Sequence, residues 1–187
     1  MKKIFDDLIQ DPRFRGIRGV LLFIIITLGI HVAYKIWIRF DYFPITLIFN
    51  KTILHMRGVV FDQSRWAITH ILKIQTTVRD GTLWFNTGWG IVIGEGCTGL
   101  KQMTQVLLLF LIYPGPWKHK LWFIPLGMVI IHVTNIIRIS MLAVAMNMNL
   151  HGIHFIHDQI LRVFFYLVIF AMWVFWEEKI SKVAANG

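Results

Sequence analysis

The chain has 187 residues, of which 56% are hydrophobic and 16% charged, with a formal net charge of +9 and a mean hydropathy of +0.62. That balance excludes a disordered chain and is too apolar for an ordinary soluble domain. The lysines and arginines flank apolar runs, which assigns the positive charge to topology and lipid headgroups rather than to nucleic acid.

The first apolar run is 17–38, Ile17 to Ile38. It is too long for the core of a cleavable signal, and no small-x-small site follows it, so it reads as a retained signal anchor. Residues 39–97 follow. Pro44 to Phe49 is apolar, and the stretch to Val60 reads as lying on or dipping into a leaflet. Ile71 to Val78 is rich in β-formers, Arg79-Asp80-Gly81 is a turn signal, and Thr82 to Phe85 resumes strand character. Asp-Gly between such runs predicts a hairpin. A third short strand is expected over Gly90 to Gly94. Three more apolar runs complete the chain: 98–113, stopped by Pro114-Gly115-Pro116, then 121–147 and 158–176. Each approaches the roughly 30 Å of a hydrocarbon core. Continuous runs without alternation read as helices, which satisfy their own backbone in lipid.

The expected fold is therefore an all-α membrane protein of one domain, with about four transmembrane helices and a hairpin-bearing extracytoplasmic region between the first and second. Lys2, Lys3, Arg13, Arg15 and Arg18 precede the first span, Lys118 and Lys120 follow the second, and Lys179 and Lys182 follow the fourth. All fall on one side, which the positive-inside rule makes cytoplasmic. Residues 1–16 become a cytoplasmic arm, and Trp117, Trp122, Trp173 and Trp176 an inner-face aromatic belt.

This topology brings three reactive residues to similar depth. Cys97, the sole cysteine, stands in Glu95-Gly96-Cys97-Thr98-Gly99-Leu100 at the outer end of the second span. Arg138 lies seventeen residues beyond Leu121, which is about 26 Å of helix. His157 opens the fourth span. A thiol beside a cation and a helix start is a candidate nucleophile. A histidine can take its proton and return it to a leaving amine. An arginine can hold an oxyanion, and an arginine inside a span is costly unless it works. Each residue also has a bland reading: lone cysteines are mostly inert packing residues, and a membrane arginine can snorkel.

The elements Glu95-Gly96-Cys97-Thr98-Gly99-Leu100, Asn135-Ile136-Ile137-Arg138-Ile139 and His157-Asp158 occur in that order, each at the edge of a span. In this the chain resembles the exosortase/archaeosortase membrane transpeptidases over about residues 94–176. The resemblance implies an integral membrane cysteine protease/transpeptidase that cleaves a C-terminal sorting signal of secreted proteins. The signal comprises a short motif, a transmembrane helix and a basic tail. The resemblance further implies transfer of the acyl group to an acceptor, often linked with polysaccharide or surface anchoring. It places catalysis on Cys97, Arg138 and His157, in an extracytoplasmic site of a multi-pass inner-membrane protein, with no cofactor. The larger members have about eight spans, so this chain looks like a compact form.

Supporting positions are Glu95, Thr98, Gly99, Asn135, His154 and Asp158. His151, His154 and His157 recur every third residue, and His154 is the alternative base. Asp158 can orient an imidazole, and Glu95 can position the thiol loop or contact the substrate tail. Asn135, one turn from Arg138, can bond it or a substrate, or simply join two helices. Lys101 is expected to snorkel outward. Two other functions compete. One is a metal or haem protein using His132 with the later histidines, although no His-Glu-x-x-His or Cys-x-x-Cys accompanies them. The other is a non-catalytic assembly subunit of an export or polysaccharide system.

Overall fold

A computed structural model describes residues 15–149 and 161–181. Along the chain run α1 (Arg15–Arg39), α2 (Thr46–Trp66), β1 (Thr76–Arg79), β2 (Thr82–Phe85), β3 (Gly90–Val92), α3 (Leu100–Ile112), α4 (Trp117–Asn147) and α5 (Leu161–Trp176). Single π-helical turns, Ala67–Ile71 and Glu177–Ser181, extend α2 and α5. Among the described residues, Gly19–Arg39 and Trp117–Asn147 are long and apolar enough to cross a membrane, and Leu100–Ile112 is apolar but shorter.

The hairpin forms where Asp80-Gly81 predicts it. Both residues have positive φ, 50° and 69°, the conformation of a type I′ turn. β2 pairs antiparallel with β1 and with β3. The first strand starts at Thr76 rather than Ile71, because 67–71 is helical, and the third stops at Val92.

Within 39–97, Thr46–Trp66 is a 21-residue helix. Phe49, Ile53, Val60 and Ser64 are buried along it, a spacing near the helical period that makes one inward stripe. That face packs on α4 and on the turn before α3.

Two apolar cores result. One joins α1, α3, α4 and α5 through Ile30, Val106, Phe110, Phe123, Ile131, Phe165 and Ile169. A Cβ on Gly127 would come within 2.6 Å of the Met172 methyl and 3.0 Å of Val106, so the glycine lets α3, α4 and α5 approach closely. The second core lies under the sheet, where Leu83, Phe85, Ile91 and Ile93 meet Val60 of α2 and Ile139, Leu142 and Ala143 of α4.

Of the four tryptophans expected at the inner face, Trp117 and Trp122 are exposed, while Trp173 and Trp176 are buried. Trp176 donates to Pro114 O at 3.0 Å, so it packs on the loop between α3 and α4. Lys120 is also buried. Its ammonium donates to Leu111 O and Tyr113 O at 2.9 and 2.8 Å, satisfying carbonyls that the end of α3 leaves open.

Candidate active site

Cys97 closes the 3₁₀ turn Glu95–Cys97 that links β3 to α3. The turn is built by short local bonds. Cys97 N–H donates to Gly94 O at 3.0 Å. The buried Thr98 hydroxyl donates to Glu95 O at 2.8 Å and accepts from Leu100 N–H at 3.3 Å. Gly99 precedes α3 at φ +74°, a left-handed conformation natural to glycine. A Cβ there would meet the Asn135 carboxamide at 3.3 Å.

Asn135 is fully buried, and its Nδ2 donates to Cys97 O at 2.7 Å. Its carboxamide thus joins α4 to the backbone of the thiol-bearing residue rather than to Arg138. Arg138, one turn farther along α4, places Nη2 4.0 Å from Cys97 Sγ. Its guanidinium carbon also lies 5.7 Å from the Phe165 ring centroid, a cation–π arrangement. One helix face thus holds the carbonyl of Cys97 and presents a charge to its sulfur.

A further residue, not singled out from the sequence, holds the other end of the loop. Arg57 Nε donates to Ile93 O at 3.0 Å. Arg57 lies in the inward stripe of α2, between Ile53 and Val60. An arginine in a buried stripe is the signal that identifies it, and that signal appears only once 46–66 is read as a helix.

Cys97 and Arg138 line a cleft of about 270 Å³ with Trp89, Gly90, Val92 and Leu142. Glu95 is exposed; its carboxylate adds to the effect of burial in pushing the Tyr42 phenol above its usual value. Lys101 sits over the Tyr34 ring, 5.7 Å from its centroid. On the other flank of α4 an apolar groove of about 550 Å³ runs between α2 and α4, lined by Trp66, Ile71, Val133, Ile137 and Met141. His132 borders it, with Nε2 2.6 Å from Gln63 Oε1. His151, His154, His157 and Asp158 lie outside the described residues.

Residues 15–174 match the family model described as Transmembrane exosortase (Exosortase_EpsH). No curated protein and no solved structure matches the chain.

Proposed function

The chain belongs to the transmembrane exosortase family, and from that premise we propose that it is a membrane cysteine peptidase and transpeptidase. Its substrates are secreted proteins ending in a sorting signal. The observation that carries this reading is the 4.0 Å approach of Arg138 Nη2 to Cys97 Sγ across 41 residues of sequence. The Asn135 bond to Cys97 O supports it, because it holds the sulfur-bearing residue from the same helix.

In the proposed reaction, Cys97 Sγ attacks the carbonyl carbon of a peptide bond just outside the substrate's membrane helix. His157, or His154 in its place, takes the thiol proton. Arg138 stabilises the tetrahedral oxyanion. The C–N bond breaks, the histidine returns the proton to the leaving amine, and a thioester remains. An acceptor nucleophile, on a polysaccharide or lipid-linked carrier, or water then releases the acyl group. We place the site at the extracytoplasmic face, with both termini cytoplasmic and about four spans in the inner membrane. The apolar groove between α2 and α4 offers a seat for the substrate helix, since its lining is aliphatic and aromatic.

The test is expression of the wild type and Cys97→Ala beside tail-anchored secreted proteins from the same genome. Loss of a C-terminal fragment only with the intact thiol, and a trapped thioester, are the expected results. Equal processing in both strains would sink the proposal and favour a non-catalytic assembly subunit.

A further inference from the structure

β3 is an outer strand, since the sheet order is β1-β2-β3. The direction of its peptide groups follows from the hairpin. Phe85 N–H donates to Trp89 O at 2.8 Å. Hydrogen-bonded pairs alternate along an antiparallel ladder, so Leu83 and Ile91, partners two residues farther on, form the next such pair. Gly90 and Val92 must then turn their peptide groups away from β2. Val92 O is taken by Gly94 N–H at 3.1 Å. Among the described residues nothing outside the sheet bonds to the N–H and C=O of Gly90 or the N–H of Val92.

This edge borders the reactive cleft. Gly90, Ile91, Val92 and Ile93 line the same space as Cys97 and Arg138, with Leu142 and Met146 of α4 opposite. One end is tied to α4: Thr87 Oγ1 donates to Met146 O at 3.1 Å, and Trp89 Nε1 donates to Asn149 Oδ1 at 2.8 Å. The strand carries neither lysine nor proline, residues that natural edges use to refuse a partner. The cleft's 270 Å³ equals roughly nine waters' share of liquid volume, which suits a short stretch of peptide better than a second sheet.

We propose that the substrate backbone adds to the free edge of β3 as an extended strand. Alternate peptide groups bond Gly90 and Val92, and the chain runs on to present a carbonyl to Cys97 Sγ. Main-chain pairing of this kind gives affinity with little demand on side chains. The proposal rests on the peptidase reading for the identity of its occupant.

The single cysteine makes the test direct. The full chain in lipid nanodiscs is treated with chloroacetyl-capped tetrapeptide amides, with chloroacetamide as reference, and intact mass follows modification of Cys97. In this reaction the thiolate displaces chloride: a C–S bond forms, the C–Cl bond breaks, and the thiol proton goes to buffer. Two added hydrogen bonds predict that the capped peptide reacts on the order of tenfold faster than chloroacetamide. N-methylation of alternate peptide amides should remove that advantage, while methylation of the amides between them should not. Val92→Pro should bring the ratio of the peptide rate to the chloroacetamide rate down toward one. Uniform tolerance of N-methylation overturns the proposal. So does a folded Val92→Pro protein that keeps the peptide advantage. If Val92→Pro does not fold, the N-methyl series on the wild type decides alone. A period-two pattern in a protein that cleaves no sorting signal would uphold the edge and remove the peptidase reading; cleavage without the pattern would do the reverse.

Discussion

Replacing Asn135 by leucine separates the stability of the fold from the setting of the thiol. The side chain is fully buried, and its Nδ2 is 2.7 Å from Cys97 O. Leucine keeps the number and branching of side-chain heavy atoms, is bulkier, and removes the donor. Losing the bond and leaving a part-buried carbonyl without its donor costs about 1–3 kcal/mol. A second term offsets this, because Asn135 Oδ1 is itself buried without a hydrogen-bond partner. Removing that atom returns an amount of similar scale. The extra bulk of leucine adds about 1–3 kcal/mol of overpacking, so the net loss is expected to be about 2 kcal/mol, or roughly 4–8 °C in melting temperature for a chain of this size. Activity has no such offset. Once Cys97 O is released, the sulfur is no longer fixed against Arg138, and a displacement of about 1 Å can cost on the order of a hundredfold in rate. The assay pairs a thermal melt in detergent with the rate of substrate processing. A small melting shift with at least a tenfold rate loss is expected. A melting loss of more than about 10 °C would show that the bond mainly holds the fold. Unchanged processing would refute the positioning argument outright.

Arg57→Met deletes the donor to Ile93 O while keeping an aliphatic stem; processing should fall by about tenfold to a hundredfold, with partial rescue in Arg57→Lys. Gly99→Ala forces a side chain into φ +74° and toward Asn135 at 3.3 Å; a loss of about 1–2 kcal/mol from backbone strain alone should appear in the melt. Arg138→Lys keeps the charge but not the planar fork, so processing should stay at least tenfold below wild type, and full activity would remove the geometric role given to Nη2. Lys120→Met strands two carbonyls at the end of α3; a loss of about 2 kcal/mol should lower the melting temperature without changing the reactivity of Cys97 toward chloroacetamide.

Features written in local chemistry are legible in the amino-acid sequence alone. Asp80-Gly81 marks the hairpin, Pro114-Gly115-Pro116 marks the break between α3 and α4, and helical rise brings Arg138 to the depth of Cys97. α2 escapes because its apolar runs are no longer than three residues, Leu47-Ile48-Phe49, Ile53-Leu54 and Val59-Val60-Phe61. Phe49, Ile53, Met56 and Val60 alternate with Lys51, His55 and Arg57, so a search for unbroken apolar runs passes over it. Trp173, Trp176 and Lys120 are buried, which residue type and position in the chain do not announce. Trp176 and Lys120 are held by carbonyls at and just beyond the end of α3. The partner of Asn135 is equally out of reach, since the bond joins positions 38 residues apart and depends on how α4 lies against the turn before α3.

The two cores share no residue, and α4 is the member that joins them. It gives Phe123, Ile124 and Ile131 to the bundle and Ile139, Leu142 and Ala143 to the sheet lobe. Asn135 and Arg138 fall between those two sets, on the seam. Units with separate cores can open separately, each with its own free energy. If the sheet lobe lifts first, Cys97 leaves with its loop while Arg138 stays on the helix. Heat would then abolish the proposed processing below the temperature at which the bundle melts. Hydrogen exchange would show the same order, with the amides of β1 to β3 losing protection ahead of those in α3 and α4.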